Sequence, residues 1–245
     1  MIEALSGHEI LRIWEIGLGQ HAIDRALTIL AVAFPEIPTD TLAALTIGQR
    51  DSCLLAIRER TFGSQLATLA TCPRCREQVE AMLDIATMQI VPDTKPTNQL
   101  QQMILDGYEI HFRLPNSLDL AVIAHLRDGN AASQMLIQRC IQSAYCDGLS
   151  VSAEALPESV RVALAAHMAE CDPLAEVQLA LTCPGCNSSW QIVFDIVTFL
   201  WREVCVQAKR LLREVHILAQ AYGWHEADIL SMSAARRQLY IEMVT

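Results

Sequence analysis

An α+β fold, mostly helical, is predicted from three features of the sequence. Apolar residues alternate with polar ones along Val177, Leu179 and Leu181, and again along Trp190, Ile192, Phe194 and Ile196, which is the two-residue period of half-buried strands. Between those runs stands Cys183-Pro184-Gly185-Cys186, so both cysteines fall at the tip of a hairpin. The arrangement occurs a second time, earlier in the chain: Leu66, Thr68 and Ala70 lead into Cys72-Pro73-Arg74-Cys75, and Val79, Ala81, Leu83 and Ile85 lead out. Even the exits match, Asp84-Ile85-Ala86-Thr87-Met88 against Asp195-Ile196-Val197-Thr198-Phe199. Most of the remaining sequence carries apolar residues at helical spacing.

Each hairpin offers two sulfurs, and a closed structural zinc site takes four ligands in a tetrahedron. Brought face to face, the knuckles supply Cys72, Cys75, Cys183 and Cys186 to one shared structural Zn2+. Proline fixes one φ angle in each loop, and the N–H groups that follow can turn toward sulfur, with Arg74 and Arg76 adding positive charge nearby. Two other readings stay open: a pair of unmetallated dithiols in the core, and a catalytic Cys-Pro-x-Cys redox site. The redox reading expects the motif to open a helix, which lowers the thiol pKa, whereas both copies are followed by strand pattern. The fold class expected is therefore α+β, mostly helical, with two zinc-knuckle β-hairpins forming a zinc-ribbon-like element.

Composition sets outer bounds. With 245 residues, 52% hydrophobic and a mean hydropathy of +0.25, the chain can bury a sizeable core and keep apolar surface for partners. It shows no apolar run of the about 20 residues that span a bilayer, and Met1 to Ile10 lack the basic start and apolar core of a signal peptide, so a cytoplasmic protein is expected. A net charge of −10 disfavours duplex nucleic acid, which needs a concentrated basic surface. Nine cysteines fit metal binding plus ordinary thiols better than a disulfide framework. Cys53, Cys140, Cys146, Cys171 and Cys205 lack knuckle spacing.

The elements follow in order. Ser6 and Glu9 form a capping box for a helix carrying Ile10, Ile13, Trp14 and Leu18. His21 to Phe34 is a second helix, apolar round most of its circumference and ended by Pro35 and Pro38. Thr46 and Gln49 open a third, through Leu54, Leu55 and Ile57 to Arg60, ending near Gly63. After the first knuckle, Ile90 to Gln99 has two prolines and no periodicity, a linker. Asp106-Gly107 between Met103–Leu105 and Tyr108–Phe112 marks a tight hairpin. Ser117 caps a short helix to about Arg127; Ala131 to Tyr145 and Pro157 to Ala169 are further helices, and Asp172-Pro173 breaks the chain before the second knuckle. Asp195 caps a long helix to about Tyr222, stopped by Gly223. Trp224, Ile229 and Leu230 lie on a short helix, and Ser233 caps the last. A metal tying Cys72 to Cys186 predicts one interlocked unit over 1–245, with sub-regions 1–89, 100–171 and 172–245.

No phosphate-binding loop, Gly-x-Ser-x-Gly elbow or His-Glu-x-x-His stretch is present in the sequence, and no catalytic residues or enzyme mechanism are assembled from the rest. His216 reads as a helix-surface residue, and Asp84 and Asp195 as helix caps. Trp190, Phe194, Phe199 and Trp201 read as core. Trp224, Tyr240 and Met243, in an apolar C-terminal stretch, are candidates for a protein-binding surface.

Several of these stretches together carry a resemblance: Leu45 to Asp51 (LTIGQRD), the two knuckles, Ala169 to Val177 (AECDPLAEV), Phe194 to Trp201 (FDIVTFLW), and Leu211 to Trp224. The chain resembles the baseplate-hub assembly chaperone family of contractile-tailed, T-even-like phages and phage-like contractile injection systems. The resemblance implies a non-enzymatic assembly chaperone or minor baseplate component that binds hub or other tail proteins, cytoplasmic or incorporated in a phage-like particle. It carries over to the four knuckle cysteines and to Arg210 to Tyr222. The family's glycine after the second cysteine, where a left-handed turn suits Gly or Asn, is Arg76 in one copy and Asn187 in the other. The alternative function is a zinc-ribbon regulatory or nucleic-acid-binding module.

Overall fold

The computed structural model describes residues 2–88, 92–97 and 99–244. Its helices are α1 (Gly7–Gly17), α2 (Ala22–Ala33), α3 (Thr39–Ala43), α4 (Ile47–Phe62), α5 (Ser117–Ile123), α6 (Gly129–Cys140), α7 (Glu158–Cys171), α8 (Ile196–Tyr222), α9 (Glu226–Ser231) and α10 (Ala234–Glu242). Its strands are β1 (Gln65–Thr71), β2 (Gln78–Asp84), β3 (Gln101–Leu105), β4 (Tyr108–Phe112), β5 (Ile141–Cys146), β6 (Leu149–Val151), β7 (Val177–Thr182) and β8 (Ser189–Phe194). The fold is mixed α and β. None of the described helices is long and apolar enough to cross a membrane.

The chain divides into two compact units, one formed by Met1–Glu36, Leu54–Ser64 and Asp195–Thr245, the other by Ile37–Cys53 and Gln65–Phe194. The first is helical, and its boundaries are set by caps. Ser6 and Glu9 form the expected reciprocal box at α1, and His21 caps α2 through its ring nitrogen. Asp195 accepts from the Thr198 amide at the head of α8, which Gly223 closes with a left-handed φ of 68°. Long α8 is the element against which α1, α2, α9 and α10 pack. Its buried stripe of Leu200, Val204, Ala208, Leu211, Glu214 and Leu218 recurs every three or four residues, the spacing of one helix face. Gly17 lets α1 meet Trp201 edge-on, since a Cβ there would lie 2.4 Å from the indole.

This unit buries charge in pairs. Arg58 is held by Glu203 at 2.8 Å with its side chain 4% exposed. On α8, Glu214 accepts from Arg237 of α10 at 2.8 Å, both side chains under 10% exposed, and from Arg210 at 2.9 Å. Trp224 precedes α9 rather than lying on it. Its ring stacks on Tyr222 at 4.4 Å and meets Tyr240 edge-on at 4.9 Å.

The second unit contains a four-stranded antiparallel sheet in the order β3-β4-β5-β6 and two separate hairpins, β1-β2 and β7-β8. The Asp106-Gly107 turn forms as predicted, with φ of 50° and 80°, the left-handed pair that a two-residue hairpin demands. A helix over Ala131 to Tyr145 is not found: α6 stops at Cys140, Ile141 turns extended, and the following residues pair with β4. Pairing with the β4 edge overrides the helical pattern there, and Asp147-Gly148, with φ of 49° and 81°, turns the chain into β6. Behind the sheet, Ile110, Phe112, Cys140, Ala144, Val160 and Leu164 form the core. Asn116, not Ser117, caps α5, in a box completed by Asp119; the Ser117 hydroxyl is buried without a partner.

Two buried carboxylates hold this unit's connections. Asp172 accepts from the Gly48 amide at 2.9 Å, while the Thr46 hydroxyl takes the Gln49 amide at 3.2 Å, so two orphan donors at the start of α4 are satisfied. Only glycine fits at 48, since a Cβ would come within 1.9 Å of Asp172 Oδ1. The predicted linker Ile90 to Gln99 falls partly outside the described residues; in its described part, Lys95 and Thr97 accept hydrogen bonds from the Gln49 side chain.

Asp119, 1% exposed, is the other. It accepts from Arg113 through both oxygens, at 2.5 and 2.9 Å, and from Arg139 at 2.9 Å. Burial pushes its carboxyl up, but Arg113, the Asn116 amide and Arg139 outweigh burial and hold it below the ordinary carboxylate value. A carboxyl depressed by folding stabilises the fold above its unfolded pKa, and that contribution disappears as pH falls through its folded pKa. Asp119→Ala is therefore expected to cost about 2–3 kcal/mol at pH 7, discounted because both arginines are about one-third exposed. In urea melts across pH, the gap to wild type should close below about pH 4.

Candidate metal centre

The two knuckle hairpins build one cluster from two equivalent loops. In the first, Cys72 N–H donates to Glu77 O at 2.8 Å and Arg76 N–H to Cys72 O at 2.9 Å; in the second, Cys183 N–H donates to Ser188 O and Asn187 N–H to Cys183 O, both at 2.9 Å. Arg76 and Asn187 both take left-handed backbone, with φ of 64° and 53°. The turn predicted there thus forms even with arginine, at a conformational cost of about 1 kcal/mol.

Across the two loops, the first cysteine of each meets the second of the other. Cys72 Sγ lies 3.6 Å from Cys186 Sγ, and Cys75 Sγ lies 3.5 Å from Cys183 Sγ. All four sulfurs fall within 4.8 Å of one another. Sulfurs bound tetrahedrally at about 2.3 Å would be about 3.8 Å apart, so the set fits a single four-coordinate ion once its separations adjust by at most about 1 Å. Cys72 and Cys183 are fully buried and pack with Val79, Cys186 and Trp190; Cys75 is the exposed member.

Backbone amides point at these sulfurs with the symmetry of the repeat. Cys72 accepts from the amides of Cys75 and Arg74, and Cys183 from those of Cys186 and Gly185. Cys75 accepts from the Glu77 amide and Cys186 from the Ser188 amide. Such donors stabilise thiolate. The Cys75 amide, more than any other group, brings the Cys72 thiol down to about 7. The other three thiols are pushed above their ordinary value. At Cys183 the main cause is burial; at Cys75 and Cys186 the amides pull down, but burial and the neighbouring thiols prevail. Four crowded thiols resist ionising together unless a cation shares their charge, which is the chemistry of a thiolate metal site.

The other sequence-predicted positions lie elsewhere. Trp224 and Tyr240 are half-buried in the ring cluster with Tyr222, and Met243 is 71% exposed. Asp84 caps locally through the Ala86 amide, as Asp195 does for α8. Asp172 and Gly48 were not singled out as partners from sequence, although each lies in a stretch quoted above for its resemblance.

The family model described as T4 bacteriophage base plate protein matches residues 26–201. That span exceeds two thirds of the chain and includes all four cysteines, Gly48 and Asp172, and it ends before Arg210. No curated protein and no solved structure matches the chain.

Metal loading replaces S–H protons, so its pH dependence follows from the thiols. With one thiol near 7 and three above the ordinary value, binding at neutral pH should release about three to four protons per ion. An indicator-dye titration of the reduced chain would measure this, and apparent affinity should fall steeply as the solution is acidified. Cys183→Ser should abolish stoichiometric binding and lower stability by more than about 3 kcal/mol, read as a fall in melting temperature.

Proposed function

The chain belongs to the T4 bacteriophage base plate protein family, and from that premise we propose that it is a non-enzymatic assembly chaperone or minor hub component of a contractile tail or tail-like injection system. It works by binding other tail proteins, within the cytoplasm of the producing cell or in the finished particle. The family match carries this reading. The four-sulfur cluster supports a structural part, because a closed set of four thiolates leaves no open coordination position for a reacting water. Its ion is zinc, to which an all-sulfur tetrahedral donor set is suited, and the pair of hairpins closed on it is a zinc-ribbon-like element. One metal joining Cys72 to Cys186 ties the two hairpins of the second unit to each other.

Protein binding falls to the C-terminal helices. Leu239 is 58% exposed and Met243, the helical C-cap of α10, 71%; four residues apart, they share one side of that end of the chain. The half-buried rings of Trp224 and Tyr240 back this helix. Exposed Met and aromatic groups suit an interface that must accept a partner.

The test is a Leu239→Asp, Met243→Asp double substitution in the native producing strain. Both side chains are exposed, so the purified variant should melt within about 0.5 kcal/mol of wild type, while the yield of complete tail-like particles falls at least about tenfold. Deleting Ser233 to Thr245 is a poorer test, because it also takes Arg237 from buried Glu214. Full particle yield from the double variant would move the binding surface elsewhere. Full yield from a strain lacking the protein would overturn the assembly role.

A further inference from the structure

The two knuckles repeat their sulfur geometry but not their surroundings. Position for position, Glu77 in the first corresponds to Ser188 in the second, and Arg74 corresponds to Gly185. Both departures meet at one point. Glu77 Oε2 lies 3.6 Å from Cys183 Sγ and accepts from that thiol, and a Cβ on Gly185 would sit 1.9 Å from the same oxygen. Glycine at 185 leaves the space that the Glu77 carboxylate fills. The mirrored residue, Ser188, is too short to make the corresponding reach.

Glu77 therefore touches three of the four cysteines. Its carbonyl accepts from Cys72 N–H, its amide donates to Cys75, and its carboxylate holds the thiol of Cys183. Its side chain is exposed, as is Cys75, whereas Cys72 and Cys183 are buried. The Cys75–Cys183 edge thus has one exposed sulfur, Cys75, and an exposed carboxylate against its buried one.

We propose that Glu77 is a positioning residue for metal exchange: its carboxylate gives an incoming divalent cation a first oxygen donor at the Cys75–Cys183 edge and passes it to Cys183. This rests on the reading of the four cysteines as a metal centre. Carboxylate oxygen is a competent ligand for zinc, and the Glu77 carboxylate is already in contact with a sulfur that must be reached. On loading, each S–H bond is replaced by a sulfur–metal bond and its proton goes to solvent; Glu77 is displaced unchanged. In the loaded site the carboxylate faces a thiolate, and like charges repel, which makes Cys183 the ligand that releases first. Uptake and loss therefore use the same edge, and the repeat has lost its symmetry where exchange occurs.

The experiment uses the full chain, reduced and metal-free, mixed with zinc ions, followed by transfer of the bound zinc to a chromophoric chelator. Glu77→Gln should slow both uptake and transfer about fivefold or more, with one zinc per chain retained. Gly185→Ala leaves the charge in place but pushes the flexible end of Glu77 off Cys183, and it should reproduce the slowing. Glu80→Gln, on the exposed face of β2, should leave both rates unchanged. Rates for Glu77→Gln and Gly185→Ala within twofold of wild type, with one zinc in each, overturn the proposal. A wild-type chain that binds no zinc overturns the metal reading itself and the exchange role with it.

Discussion

The convergence of four thiols is the constraint on which the second unit depends. Each knuckle hairpin is two strands of six or seven residues, and an isolated two-stranded hairpin is marginal in water. What closes each is the other. Cys72 meets Cys186 across 114 residues of sequence and Cys75 meets Cys183 across 108, and most of the unit's sheet and helices lie within that loop. Bringing such ends together carries an entropy cost that grows only slowly with length, so a strong ligand set can hold a long excursion almost as readily as a short one. Among the residues whose burial is described, the strands of the hairpins bury Leu66, Val79, Leu179 and Leu181.

Elsewhere the fold is fastened by buried carboxylates that accept from several donors at once. Asp119 joins Arg113, Arg139 and the first turn of α5; Asp172 joins the start of α4; Glu214 joins α8 to α10. Each replaces hydration with named donors, which is the condition for burying charge without a large penalty. The Asp172 case shows the balance: burial pushes its carboxyl above the ordinary range, while the Gly48 amide, the Thr46 hydroxyl and Arg50 pull the other way. In each, removing one partner would strand a buried charge.

Local rules were legible and long-range ones only where chemistry repeated. The capping boxes at Ser6 and Thr46, the Asp106-Gly107 turn and the Gly223 stop each depend on residues within four positions of one another, and each formed where its pattern stood. The cysteine convergence could be read because two matched motifs halve the ambiguity that one leaves. Gly48 with Asp172, and Glu214 with Arg237, could not, since one glycine or one charge carries no mark of its partner. The segment Ile141 to Cys146 shows the same limit: its helical pattern was real, but the free edge of β4 decided its state, and Asp147-Gly148 was the overlooked local signal for the turn that follows.

The placement of the C-terminal helix bears on how an apolar surface can be kept without becoming a liability. Leu239 and Met243 face solvent on a helix of nine residues and its C-cap, too short to be stable by itself. Arg237 fixes that helix by placing its guanidinium between Glu214 and the Met232 carbonyl, while Tyr240 packs on Trp224 and Tyr222. The exposed residues are therefore presented by a helix already ordered, so a partner docking there, as proposed above, would not have to supply the entropy of folding it. A loose tail of the same composition would bind more weakly and collapse on itself more readily. Anchoring by a buried ion pair, rather than by the apolar residues, is what leaves those residues available to a partner.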